Sequence, residues 1–354
     1  MLRDFYHGKK VLITGHTGFK GGWLSAWLKS LGAEVTGLAL PPDTTPNLFD
    51  STCLGCGMIS ILGDIRDQPV VASVFQQSAP EIVFHNAAQP LVRRAYREPV
   101  ETYATNVMGT AHVLEAVRHT PSVRAVVVVT SDKTYENREW FWGYREEDTL
   151  GGRDPYSSSK ACAELVTAAY RQSFFTQERS ARIATARAGN VIGGGDWSQD
   201  RLVPDIVRGI TANQPVIIRN PDSIRPWQHV LEPLHGYLTL AQKLWENCDF
   251  AGAWNFGPRD QDAISVGDLA KHVITKWGKG ELKIQRDPQA PHEAQVLRLN
   301  TSKSHTRLGW RPVLELDRAL TWTVDWYRKF YDDPASVAAL TAEQIDLFSE
   351  AASL

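Results

Sequence analysis

Apolar positions in the first half of the chain fall into short unbroken runs separated by stretches of helical period. Lys10–Ile13 is one such run, and glycines follow it, so it reads as a buried strand entering a turn. Trp23–Leu31 then reads as a helix closed by Gly32. Runs at Glu34–Leu38, Met58–Leu62, Ile82–His85 and Ala125–Thr130 read as the next four strands, the last holding the successive valines Val126 to Val129. A strand with one wet face alternates, whereas an unbroken run must be covered on both faces. Such strands separated by helices predict an α/β fold with a doubly wound parallel sheet and right-handed crossovers. Ala186–Val191 reads as a sixth strand leading into a more irregular region. There Gly193-Gly194-Gly195-Asp196 opens a loop, and prolines at 204, 215, 221, 226 and 233 punctuate short elements. That region predicts a smaller lobe laid over the carboxyl edge of the sheet.

Composition narrows the function classes. At 354 residues and 43% hydrophobic content, the chain can bury the core of one large or two modest domains. The net charge of -2 and the lack of a basic stripe speak against nucleic acid or a membrane surface as partner. Cys53-Leu54-Gly55-Cys56 is half a zinc site with no second close pair, so the four cysteines read as reduced thiols without metal. The first ten residues are polar and charged, unlike a signal peptide, and no apolar run approaches the roughly 20 residues that cross a bilayer. The expectation is a cytoplasmic enzyme.

The first strand ends in Thr14-Gly15-His16-Thr17-Gly18-Phe19-Lys20-Gly21. Glycines at that spacing, between a strand and a helix, let a pyrophosphate approach the backbone at a helix N-terminus. The second strand lacks the acidic residue that usually meets the adenosine ribose, and Ala39-Leu40 stands there instead. No arginine replaces it, so NAD is favoured over NADP. His16 and Lys20 either meet the cofactor phosphates or face solvent. Asp64-Ile65 is placed to meet the adenine, and Ala87 and Ala88 are small enough to lie against the cofactor.

Tyr156 and Lys160 stand four apart on one helix face, and the strand ending in Thr130-Ser131 precedes them. A lysine ammonium beside a phenol favours the phenolate and lowers its pKa. Glycine turn, hydroxyl, tyrosine and lysine in that order define a hydride-transfer site.

With these residues in place, the chain resembles the extended short-chain dehydrogenases/reductases and, within them, the nucleotide-sugar 4,6-dehydratases, over nearly its whole length. The resemblance rests on Gly15–Gly21, Ala87-Ala88-Gln89-Pro90-Leu91-Val92-Arg93-Arg94, Ser131-Asp132-Lys133 and Arg225-Pro226-Trp227-Gln228-His229-Val230. It is greatest to members that act on CDP-glucose. It implies a Rossmann-type NAD-binding domain over residues 1–188 and a nucleotide-sugar lobe over 189–354, with part of 226–257 returning to the first domain. It implies a homodimer, or a dimer of dimers, paired through the fourth and fifth helices. It also implies a place in deoxysugar, O-antigen or lipopolysaccharide, assembly.

The resemblance also assigns roles. Tyr156 removes the C4 hydroxyl proton and Ser131 hydrogen-bonds the same hydroxyl. Asp132 protonates the departing C6 hydroxyl. Lys133, where a glutamate is common, is the C5 base, a role open to lysine only in its neutral form. Gly15, Gly18, Phe19, Gly21, Gln89 and Asn106 border the cofactor. Gln89, Arg94, Asn190, Arg201, Arg219, Arg225, His292 and Glu293 border the nucleotide sugar, arginine suiting a diphosphate through its fork of donors. Trp140, Phe141, Trp142 and Tyr144 form an aromatic insertion that reads as a flap near the sugar or as core packing. A 4-epimerase would need Ser131, Tyr156 and Lys160 but have no use for Asp132-Lys133. A C5-inverting UDP-N-acetylglucosamine dehydratase shares the lysine, and a non-catalytic binding protein has no need of the full set.

Overall fold

A computed structural model describes residues 2–177, 180–285 and 297–353 of the chain. The strands are β1 Lys10–Thr14, β2 Glu34–Ala39, β3 Ile59–Leu62, β4 Ile82–His85, β5 Ala125–Val129, β6 Arg182–Ala188, β7 Asn190–Ile192, β8 Val216–Ile218, β9 Ile224–His229, β10 Gly252–Phe256, β11 Ala263–Ser265 and β12 Leu282–Ile284. The principal helices are α1 Phe19–Ser30, α2 Gln68–Ser78, α3 Val92–Arg97, α4 Gly109–Arg118, α5 Pro155–Phe174, α6 Leu202–Thr211, α7 Leu231–Glu246, α8 Val266–Trp277, α9 Leu316–Asp332 and α10 Val337–Ala351.

Seven strands form the main sheet in the order β10-β6-β5-β4-β1-β2-β3. Every pairing in it is parallel. This is a Rossmann-type doubly wound sheet. The alternation of side chains across the pleat explains the unbroken apolar runs. Val127 and Val129 of β5 face one side, with Trp23 and Trp27 of α1 and Leu234 and Leu238 of α7. Val126 and Val128 face the other, with Val113 and Leu114 of α4 and Phe75 of α2. Each fully buried valine contributes about 1.5–3 kcal/mol, so neither face tolerates a charge.

The first four strand readings hold to within a residue or two at their ends, as does β5. The first helix begins at Phe19 rather than Trp23, because Gly18 takes the N-cap position. The sixth strand differs more. β6 ends at Ala188, and β7 leaves the main sheet to pair with β9, Asn190 against Trp227. Gly189 makes the break. A Cβ there would lie 3.0 Å from the Asp132 carboxylate and 3.2 Å from Pro226.

Beyond β7 the chain builds a three-stranded sheet, β11-β9-β7, and a two-stranded one, β12-β8. Between these passes, α7 packs on β5 and β6, and β10 adds the outer strand to the main sheet beside β6. No helix among the described residues is long and apolar enough to cross a membrane. None of their His, Cys, Asp and Glu side chains cluster in threes that would hold a metal ion.

Candidate active site

The site is a cleft of about 980 Å³ along the carboxyl ends of the central strands. At one end is the glycine turn. Gly15 takes a left-handed φ of +81°, and a Cβ on it would meet the backbone of Ala87 at 2.8 Å. A Cβ on Gly21 would lie 2.0 Å from the Gly15 carbonyl oxygen. The turn therefore closes only with glycine at both places, and it aims the N-terminus of α1 into the cleft. Gly18, Phe19, Lys20, Asp64, Ile65, Ala87 and Ala88 line the same end. A cradle with no room for a Cβ, facing a helix N-terminus, fits a dinucleotide pyrophosphate.

The candidate reacting groups line the middle of the cleft. Ser131 lies two residues beyond β5 and caps a single 3-10 turn, Asp132–Thr134. Its hydroxyl donates to Asp132 Oδ1 at 3.0 Å and accepts from the Lys133 N–H at 3.2 Å. Opposite, α5 starts where Asp154 caps the Ser157 N–H at 3.0 Å and Pro155 takes the first helical position. That start puts Tyr156 and Lys160 on the wall facing Ser131, Asp132 and Lys133. The Tyr156 phenol is pushed up to about 12 by burial, with the Ser131 hydroxyl pulling the other way. Burial lowers Lys160 to about 8, opposed by the Glu164 carboxylate. The sequence expectation that Lys160 lowers the phenol differs from this geometry, in which the ammonium donates to the Val129 carbonyl at 3.2 Å. Burial also raises Asp132, against the pull of the Lys133 charge.

The far end carries the arginines. Arg201 caps α6 and is held by Asp196 at 2.8 Å, Arg219 faces Asp200 at 3.7 Å, and Arg225 lies on β9. All three line the cleft with Asn190. Arg93, not singled out from the sequence, lines it too and reaches Asp200 at 3.5 Å. His292 and Glu293 lie outside the described residues.

Several candidates sit differently from expectation. The His16 ring leaves the cleft, lies over Gly37, where a Cβ would touch it at 2.3 Å, and bonds Ser60 at 2.7 Å. The missing side chain at Gly37 makes the slot that draws the ring in, and burial lowers its pKa to about 4. Lys20 keeps to the cleft beside the Tyr237 hydroxyl, and burial, then the charges of Arg201 and Lys160, lower it to about 7. Asn106 is buried outside the lining. It clamps the Gln89 backbone through its N–H at 2.8 Å and its carbonyl at 3.1 Å, and donates to Ser159 at 2.8 Å. The Gln89 side chain turns inward to Thr102 and Leu91. Arg94 is tied to Glu98 and Glu101, and Asp64 to Arg66, although both line the cleft.

The aromatic insertion is packing with an exposed tip. Tyr144 stacks on Tyr135 at 5.0 Å and Trp140 leans on Tyr144, while Phe141 is 93% exposed and away from the cleft.

The family model described as GDP-mannose 4,6 dehydratase matches residues 12–323. The chain is 52% identical over 331 residues to CDP-glucose 4,6-dehydratase of Salmonella typhimurium, covering 92% of each. It is 26% identical to dTDP-glucose 4,6-dehydratase of Xanthomonas campestris pv. campestris, over 89% of this chain and 92% of that one. Among solved structures, UDP-glucose-4-epimerase of Stenotrophomonas maltophila with bound NAD superposes with a TM-score of 0.79 at 21% identity, covering 92% and 99% of the two chains. The dTDP-glucose 4,6-dehydratase of Bacillus anthracis in complex with NAD gives 0.76 at 21%, covering 92% and 98%.

Proposed function

Since this chain belongs to the GDP-mannose 4,6-dehydratase family, we propose that it is a hydro-lyase that converts CDP-glucose to CDP-4-keto-6-deoxyglucose and water. The observation that carries the reading is the wall formed by Ser131, Asp132 and Lys133 opposite Tyr156 and Lys160 in one cleft. An epimerase needs the hydroxyl, the phenol and the lysine. Elimination needs two further acid/base groups, and Asp132 and Lys133 are the candidates on this wall.

The turn at Gly15–Gly21, with Asp64, Ala87, Ala88 and Lys160, would hold NAD. Bound there, it would supply a hydride acceptor for C4 and a hydride donor for C6, with no net change over the cycle. The protein's own groups move the protons. Tyr156, in its phenolate form, takes the C4 hydroxyl proton while Ser131 orients that hydroxyl. The resulting ketone acidifies the C5 hydrogen. Lys133, in its neutral form, removes it as Asp132, whose pKa burial raises, gives its proton to the departing C6 hydroxyl. Asn190, Arg201, Arg219 and Arg225 hold the diphosphate.

The product suits deoxysugar assembly. The apolar faces left by Leu165 and Phe174 on α5, both exposed, support a homodimer paired through α4 and α5. The free, exposed Cys53, Cys56 and Cys248 fit a reducing, cytoplasmic setting. The test is a panel of CDP-, dTDP-, UDP- and GDP-hexoses with no added reductant, read by the strong ultraviolet absorbance of 4-keto-6-deoxy sugars in alkali. Absorbance with CDP-glucose is expected. An epimeric hexose without that absorbance would overturn the dehydratase reading.

A further inference from the structure

Behind the cleft lies a buried ion pair that the reaction scheme leaves without a task. Glu164 and Arg187 are each 3% exposed. Glu164 stands one turn beyond Lys160 and two beyond Tyr156 on α5, so the three share a helix face. Arg187 stands on β6, two residues after Thr185 and on the same face of the strand. The pairing is bidentate: Arg187 Nε donates to Glu164 Oε1 and Nη2 to Oε2, both at 2.9 Å. The Thr130 hydroxyl donates to Oε1 at 2.5 Å and the Thr185 hydroxyl to Oε2 at 2.6 Å. The remaining guanidinium nitrogen donates to the Tyr135 hydroxyl at 2.7 Å and the Glu146 carbonyl at 3.1 Å. Tyr135 in turn donates to Asn255 at 2.8 Å.

Two charges taken out of water make a poor device for stability, since apolar side chains of similar volume would fill the space at no desolvation cost. What such a pair does supply is direction, because each bond fixes an angle as well as a distance. The partners show what is being fixed. Thr130 immediately precedes Ser131, and Tyr135 follows Lys133 by two residues. The segment carrying Ser131, Asp132 and Lys133 is therefore fastened at both ends to one charge cluster. The carboxylate of that cluster belongs to the helix carrying Tyr156 and Lys160. Neither Glu164 nor Arg187 lines the cleft, so both act through their neighbours.

We propose that Glu164 and Arg187 are a positioning pair that holds the elimination residues Asp132 and Lys133 in register with the oxidation residues Tyr156 and Lys160. The proposal rests on the dehydratase reading above. In that reading the two sets act in turn on one hexose ring that does not leave between steps. The ring that suits the phenol must already suit the carboxyl and the amine, and an ångström of slack is costly at each. A sheet and a helix joined by apolar contact and the single Lys160–Val129 bond would let the 3-10 turn shift without shifting α5. The four bonds to Glu164 and the Arg187–Tyr135 bond remove that freedom.

Replacing either charge would strand the other in the interior, so the test removes single hydroxyls and leaves the pair intact. Thr130→Val frees the leading end of the segment, Tyr135→Phe frees the trailing end, and Thr130→Ser is the conservative control. Each is made in the full chain with bound NAD. Release of 4-keto-6-deoxy sugar is measured at steady state, and the first appearance of reduced-nicotinamide absorbance is measured in a single turnover with CDP-glucose. Each loosened variant should release product about tenfold more slowly, or ~1.4 kcal/mol in barrier, with the first hydride transfer slowed less than about threefold. Reduced nicotinamide then accumulates during turnover, KM stays within about twofold, and Thr130→Ser returns both rates to wild-type values. Product release within about twofold of wild type in both variants would overturn the proposal, as would equal slowing of both steps, the pattern of general loosening. A wild-type chain that releases no keto sugar overturns the dehydratase reading instead, and the proposal with it.

Discussion

Lys160 illustrates what the site asks of the fold. It is 6% exposed, and burial lowers its pKa from 10.5 to about 8 even though the Glu164 carboxylate works against that shift. At 1.36 kcal/mol per pH unit, this difference means the charged amine costs the folded state ~3 kcal/mol. The sign follows from proton binding. Between pH 8 and 10.5 the unfolded chain holds a proton that the folded chain does not, so wild-type stability rises with pH across that window. Below about 8 both states are protonated and the penalty is fully present. Lys160→Met keeps the length and removes the charge. It forfeits the bond to the Val129 carbonyl, worth about 1 kcal/mol, so the net gain is ~2 kcal/mol at pH 7. By about pH 9.5 the wild-type penalty has fallen by ~2 kcal/mol and the advantage has vanished. Urea unfolding of both proteins, freed of nucleotide, at the two pH values reads this directly. Product formation should fall more than about a hundredfold in the same variant. A methionine variant no more stable than wild type at pH 7, or a gap that does not close with rising pH, would refute the reasoning.

Gly21→Ala places a Cβ 2.0 Å from the Gly15 carbonyl and should weaken NAD binding about 10- to 100-fold by calorimetry. Lys133→Ala should still oxidise C4 and accumulate reduced nicotinamide but stop elimination, and 4-keto-6-deoxy sugar released at the normal rate would remove Lys133 from its role.

The sheet was legible because burial on both faces writes itself as an unbroken apolar run. Val126–Val129 is the clearest case, and the exposed edge strand at Ile59–Leu62 is the weakest of the set. The three-residue strands of the second half were not legible. β7 and β11 exist through pairings with β9, such as Asn190 with Trp227 and Ala263 with Pro226, and three residues carry no period to read. In the cleft, residue type indicated chemistry but not which neighbour would claim the side chain. His16 is claimed by Ser60, 44 positions away, through a slot that only Gly37 provides. Arg94 could have been anticipated in part, since Glu98 stands one helical turn on, whereas Glu101 is brought in by the next helix, which starts at Pro99. The same holds for Arg187, a lone charge inside the apolar strand Ile183–Ala188 with a carboxylate at the right spacing from Lys160 on the facing helix.

The path of the chain between β6 and β12 also bears on how base preference could be exchanged among relatives. The arginine-bearing wall of the cleft comes from residues 190–229, and α8 and β12 of the same region come from 266–284. Between them α7 and β10 return to the main sheet, sharing one continuous core with α1. A single recombination point after Gly189 would therefore transplant the outer strand of the host's sheet along with the foreign lobe. Clean grafting takes a double splice that leaves 231–256 native, so natural drift in nucleotide choice should proceed by point changes in the lining rather than by module exchange.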